Sequence, residues 1–268
     1  MKTNYTFLLS LLLCISTSIL SAQEEPTIYY SMDYMMVMPD MHEDYIACEQ
    51  AWKKIHAHNK SAGKIESWAL MRIFSPSGSS TDYNYVTRTR FKDRHQLAAY
   101  QDNPIMPENW ESLLTDDEVA LVNRTSALRT YVKSELLSSQ ERILADDISD
   151  VGVAVLNFFK MPKGVRRTEH MKMERDLWMP FHKQSVARGK IKGWVMLQRE
   201  LPMGSDYDYD VVTVDLFKNM EQFWEPFDTD ALTKLNPGMS MDDIMKKTIA
   251  TGNRGRVEIR KRVDGLSD

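Results

Sequence analysis

The chain has 268 residues, a formal net charge of -4, and 43% hydrophobic against 27% charged residues. That balance belongs to a folded globular protein; it excludes a disordered chain, a collagen-like fibre and, with only two cysteines, a disulfide scaffold. A pI near 5.9 gives no general drive toward nucleic acid.

The first segment reads as an export signal. Lys2 supplies the positive start, residues 7–20 the apolar run, and Leu20-Ser21-Ala22 a small-residue end, with cleavage before Gln23. The run falls short of the roughly 20 residues that a membrane span needs, and no later segment approaches that length without charges. The expectation is an exported protein, periplasmic or extracellular, with no membrane contact after the signal is removed. Lipidation at Cys14 is the rival reading, but Leu13 is too large for the residue before a lipidated cysteine. Cys48 is then left alone, has no internal disulfide partner, and is read as a buried helix position.

From residue 29 the elements follow as strand, helix, strand, strand, helix, strand. Tyr29 to Met38 predicts a first strand with apolar residues on both faces, so one face meets helices and the other a second sheet. Pro39 and Asp40, with Glu43 three residues on, predict a capped helix whose face carries Tyr45, Cys48, Trp52, Ile55 and Asn59. Gly63 ends it. Ile65 to Phe74 is the second strand, Pro76-Ser77-Gly78 a turn, and Tyr83 to Phe91 the third strand. A short helix follows near Asp93 to Tyr100. After an irregular stretch around Pro104 and Pro107, a helix from about Asp116 leads to a last strand near Ala127 to Leu136. The second part repeats this plan, from a strand at Val151 to Met161 to a helix around Met241 to Ala250 and a strand at Arg256 to Val263.

The repetition is visible in the residues. Trp52, His56, Gly63-Lys64-Ile65 and Trp68 recur as Trp178, His182, Gly189-Lys190-Ile191 and Trp194, all at an offset of 126. Asp82-Tyr83-Asn84-Tyr85 is echoed by Asp206-Tyr207-Asp208-Tyr209 at a slightly different offset. The expected organisation is a signal at 1–22, a first repeat at 29–137 and a second at 151–263. Each repeat is a ferredoxin-like βαββαβ unit, and the fold class is α+β with the two units packed sheet to sheet as an intramolecular barrel.

This plan resembles the dimeric α+β barrel superfamily, on the strength of the duplicated Trp-x-x-x-His helix, the Gly-Lys-Ile entry to a Trp-containing strand, and the Asp-Tyr-x-Tyr segment. That superfamily includes NIPSNAP-like proteins, antibiotic-biosynthesis monooxygenases, haem-degrading monooxygenases and chlorite dismutases, so the fold alone selects no function. The resemblance implies that the cleft between helix and sheet is where small or haem-like ligands sit. It also implies a monomer built as a pseudo-dimer, and it allows haem without requiring it; the residues themselves call for no cofactor.

Trp52 and His56 are one helical turn apart, as are Trp178 and His182, so each pair shares a face. A histidine beside an aromatic wall can serve as acid, base, metal ligand or hydrogen-bond donor, or it can simply anchor the helix. The expected ligand-binding residues are Trp52, His56, Trp68 and Tyr83, with Trp178, His182, Trp194 and Tyr207 as their counterparts. His56 and His182 are the catalytic candidates. His56 ranks first, because Pro180 is expected to kink the second helix and misdirect His182. No metal site is expected. His56 and His58 point to opposite sides of a helix, and His170 and Glu174 have a common spacing. Asp206, Asp208 and Asp210 lack the glycine and glutamate of a calcium loop, since Val211 and Phe217 stand there. The 18 methionines are core material before they are copper ligands. The leading expectation is a binding protein for a small, partly apolar molecule. A monooxygenase-like or haem-linked enzyme, and a structural protein without ligand, are the alternatives.

Overall fold

The computed structural model describes residues 26–266 apart from 79, 80, 104, 205 and 227; the expected export signal and its cleavage site lie outside the described residues. Eight strands are present among the described residues: β1 (Tyr29–Met36), β2 (Ser67–Ser75), β3 (Tyr85–Phe91), β4 (Thr130–Leu144), β5 (Val153–Lys160), β6 (Gly193–Leu201), β7 (Val211–Phe217) and β8 (Asn253–Leu266). They close a barrel in the order β1-β3-β2-β8-β5-β7-β6-β4, and all the pairings are antiparallel. The first four strands run β4-β1-β3-β2 and the last four β8-β5-β7-β6, the same order twice.

The two expected facing sheets are therefore one continuous closed sheet. Closure depends on the length of β4 and β8, 15 and 14 residues. Each pairs along one side with the first strand of its own half and along the other with the second strand of the opposite half. For this reason β4 runs on to Leu144, past the expected repeat end at 137, and β8 to Leu266, past 263. The residues expected to connect the halves from Ser138 are largely strand.

Helices cover the outside of the barrel. The first half has α1 (His42–Ser61), α2 (Arg94–Asp102) and α3 (Asp116–Asn123). The second has α4 (Arg167–Met173), α5 (Met179–Ala187), α6 (Thr229–Leu235) and α7 (Met241–Thr251). The expected cap at Asp40 is not formed. Pro39–Met41 makes a 3-10 turn that runs straight into α1, so Asp40 already lies in that turn and Met41 takes the cap position without a side-chain bond. The break expected at Pro180 lies just before it. Glu174–Trp178 is a π turn, and Pro180 stands in the first turn of α5, where a missing N–H is tolerated.

Alternation along the strands divides the core. From β1, Tyr30, Met32 and Tyr34 point into the barrel with Leu156, Phe158, Val195, Val212 and Tyr209, whereas Met35 faces α1 with Tyr45, Trp68 and Tyr85. The barrel interior also holds a buried charged network. Glu135 accepts from Tyr34 at 2.7 Å, Tyr209 at 2.6 Å and Lys133 at 2.7 Å. Its counterpart Glu258 accepts from Tyr83 and, at 3.0 and 2.7 Å, from Arg260. Tyr83 is thus inside the barrel, edge-on to Tyr34 at 4.7 Å, and not in the helix–sheet cleft where the sequence placed it.

Candidate functional site

The duplicated Trp-His-Trp residues form the same stack twice. In the first half His56 lies on Trp68 with ring centroids 5.0 Å apart and planes 17° apart, and Trp52 covers its other side at 6.0 Å. In the second half His182 lies on Trp194 at 5.0 Å and 11°, with Trp178 at 6.4 Å. The outer indoles are fixed alike: Trp52 Nε1 donates to Thr125 Oγ1 and Trp178 Nε1 to Thr248 Oγ1, each at 2.9 Å. The π turn and Pro180 therefore leave the aim of His182 intact.

What differs is the space beside the stack. The second half contains a cavity of about 800 Å³ between helices and sheet, walled by Trp178, Phe181, His182, Phe159, Phe217 and Phe223 among others. In the first half the equivalent space is taken by the chain's own side chains. Tyr100 on α2 packs on Phe91 at 5.0 Å and hydrogen-bonds Thr89. Arg129 reaches Glu49 at 3.0 Å, and Met106, Trp110 and Leu114 pack, with Trp52, against Ala51, Ile55 and Val122. In the second half the helix matching α2 is a single turn, Met220–Phe223. Counted from the matching caps Asp93 and Asn219, Tyr100 falls on Pro226, where that helix has already ended. Counted from the starts of β4 and β8, Arg129 falls on Gly252. A Cβ at Gly252 would lie 2.5 Å from the His170 ring, so the position admits no side chain while His170 stays in place.

The space beside His56, ranked first by sequence, is therefore occupied by described side chains, and His182 has a cavity beside it. Of the other expected residues, Trp178 lines the cavity and Trp194 backs His182 from the sheet. Tyr207 is off the cavity wall, under the Arg199 guanidinium at 4.5 Å. Trp52 and Trp68 complete the filled site.

The floor of the cavity carries two carboxyls that the sequence reading did not assign to it. Glu174, in the π turn, is 3% exposed, with His170 Nε2 3.6 Å away. Asp215, on β7, takes the register position of Thr89 and accepts from Asn157 at 3.2 Å. Burial and then the charge of Asp215 push Glu174 up to about 8, and burial pushes Asp215 up to about 7. His182 Nδ1 faces Asp215 Oδ1 across 3.5 Å, too far for a firm hydrogen bond, and has no other partner. Burial holds His182 down at about 3 and His170 at about 4; burial, then Arg129, holds His56 at about 3.

These shifts have opposite signs in a stability profile. Raised carboxyls contribute stability that is complete below their unfolded values and lost as pH rises through about 7 to 8. Depressed histidines contribute stability that is present above 6.5 and lost as pH falls toward their folded values. The melting temperature should peak in mildly acidic to neutral solution. Glu174→Gln should flatten the profile between about pH 4.5 and 8, the interval between the ordinary and the raised value, and leave its slope below pH 4 unchanged. A variant whose slope over that interval matches wild type would show that Glu174 is ionised without penalty.

Haem iron takes an axial protein ligand, often a histidine nitrogen, and among the described residues the cavity wall offers one histidine, His182. A carboxyl beside Nδ1 orients such a ring and leaves Nε2 as donor, so the residues present fit that role. No cluster of three or more His, Cys, Asp or Glu suited to a metal ion occurs among the described residues.

No family model matches the sequence, and no curated protein matches it. Among solved structures, the chain is similar to a candidate monooxygenase from Lactobacillus acidophilus NCFM, with 13% identity, 91% of this chain and 97% of that chain covered, and a TM-score of 0.51. A candidate monooxygenase from Fusobacterium nucleatum subsp. nucleatum matches at 8% identity, over 89% and 93% of the two chains, with a TM-score of 0.52. An anthrone oxidase-like protein matches at 10% identity over 91% and 94%, with a TM-score of 0.47. The chain shares its fold with these two candidate monooxygenases.

Proposed function

We propose that this is an exported protein of two tandem ferredoxin-like repeats in which the second repeat binds a small, partly apolar molecule and the first is structural. The observation carrying this reading is the asymmetry of the clefts. The Trp-His-Trp frame is kept in both halves; in the second it opens into a cavity large enough for a small organic ligand, whereas in the first described side chains occupy the matching space. Aromatic side chains form much of its apolar wall, and among its polar groups His182, Asn157 and Glu174 gather around Asp215.

That gathering also favours a second reading, an enzyme. A carboxyl near pH 7 beside an uncharged imidazole can accept or return a proton from a bound molecule, and similarly folded neighbours are candidate monooxygenases. If haem is the ligand, it supplies redox chemistry while His182 holds it and Asp215 orients His182.

Mass spectrometry of material released from the purified protein tests both readings. A retained small molecule should appear with wild type and be lost from Ser185→Phe and Met245→Trp, two cavity-narrowing changes whose folding is checked by melting temperature. A haem mass supports the second reading, and a colourless molecule the first. Equal retention by folded cavity-narrowed variants would place the ligand elsewhere and sink the reading.

A further inference from the structure

The two halves of the chain carry one buried glutamate at corresponding positions but treat it differently. Counted back from Trp52 and Trp178, and allowing one extra residue for the π turn, Glu174 corresponds to Glu49. Each is 3% exposed. Glu49 is answered within the chain by Arg129, whose Nη1 donates to Oε1 at 3.0 Å. At the matching position the second half has Gly252, so Glu174 lines open space with no such cation. Among the described residues its ion-pair contact is His170, at 3.6 Å, and that imidazole is uncharged near neutral pH.

Two independent observations mark the vacancy as a place for a ligand. One is the cavity itself, about 800 Å³ at the point where the first half holds the Arg129 side chain. The other is His182 Nδ1, a buried atom on the cavity wall that makes no hydrogen bond and faces Asp215 Oδ1 at 3.5 Å. Asp215 adds a second carboxyl at the same end. The cations on the wall do not neutralise this end. Arg188 and Lys190 are more than half exposed and paired with Asp228 and Glu225, and Arg254 is exposed, although its charge reaches Asp215.

We propose that the second-half cavity selects a ligand with a cationic head, an ammonium or guanidinium, on an apolar aromatic or aliphatic body, the head taking the place against Glu174 that the Arg129 guanidinium takes against Glu49. This rests on the reading of the cavity as a ligand site and names the class of ligand. A buried carboxyl without a cation is costly to ionise, and an incoming cation removes that cost; a neutral or anionic head does not. The aromatic walls then bury the body of the ligand and offer ring faces to the charge.

The test uses the whole protein and three probes of one shape: phenethylamine, which is cationic, phenethyl alcohol, which is neutral, and 3-phenylpropionate, which is anionic. Affinities are read by NMR titration at pH 8. The proposal expects phenethylamine to bind at least tenfold tighter than the other two, and Glu174→Gln to reduce that preference to under threefold while the alcohol still binds. If the alcohol or the carboxylate binds as well as the amine to wild type, the cationic class is overturned and the cavity stands as a ligand site. If amine preference survives unchanged in folded Glu174→Gln, the assignment to Glu174 is overturned. If none of the three binds, or if binding is unaffected in folded Ser185→Phe and Met245→Trp, the proposal and the reading of the cavity fall together.

Discussion

Trp68→Ala is expected to destabilise the protein by about 3–5 kcal/mol in urea unfolding, the usual cost of emptying a buried tryptophan site. Trp68 is 1% exposed and packs with Leu70, Tyr85 and Phe91, beneath α1. It also supplies the face on which His56 stacks, so the loss removes contacts from strand and helix together. Trp194 is equally buried, and Trp194→Ala should cost a similar amount. Function separates the two. Trp194 backs His182 beside the open cavity, whereas Trp68 serves the filled cleft, so Trp68→Ala should leave binding of the proposed ligand unchanged at temperatures where it remains folded. A cost well under 1 kcal/mol at Trp68 would contradict its packing.

Arg260→Met is the second large effect, also about 3–5 kcal/mol, because it strands a buried carboxylate. Arg260 is 1% exposed and holds Glu258 through two nitrogens inside the barrel. Burial works against the charge on Glu258, but Arg260, with Tyr83 and Arg256, outweighs it and keeps the carboxyl below its ordinary value. With Arg260 gone, Arg256 at 3.3 Å and the Tyr83 hydroxyl remain, and they cannot replace a two-point contact. The double variant Arg260→Met with Glu258→Gln should recover part of the loss, since no unpaired charge is then buried. Should the double variant be no better than the single, the cost would lie in packing, including the guanidinium against the Tyr34 ring at 5.4 Å.

The Trp-His-Trp frame was legible in the sequence because it lies within one uninterrupted register, where a constant offset of 126 aligns every member. The residues that open the cavity lie outside that register. Between halves the offset is 124 along β1 and β5, then 126 past the π turn, then 123 at β4 and β8, so Arg129 and Gly252 never align in a single comparison. His56 outranked His182 on the continuity of its own helix. Whether a cleft is open depends instead on side chains from other elements, here Tyr100 and Arg129, and helix periodicity carries no trace of them. Tyr83 was misplaced for a local reason. Read as strand, it shares the helix-facing side with Tyr85, but β3 begins at Tyr85 and the residues before it turn the Tyr83 ring into the barrel.

The two long closing strands also impose an order of assembly. The outer side of β2 is completed only by β8, the final strand of the chain. The outer side of β4 waits for β6. A chain emerging from its N-terminus therefore presents its first four strands with both outer strands unpaired and the apolar inner face uncovered until nearly all of it has arrived. Such distant pairings are slow to form, because the intervening chain must be ordered before the contact repays it. During that interval the open strands are templates for other chains, and once the barrel closes neither edge remains. There is no half-built resting state with its sheet edges satisfied: loss of β8 would strip a neighbour from β5 and from β2 at once.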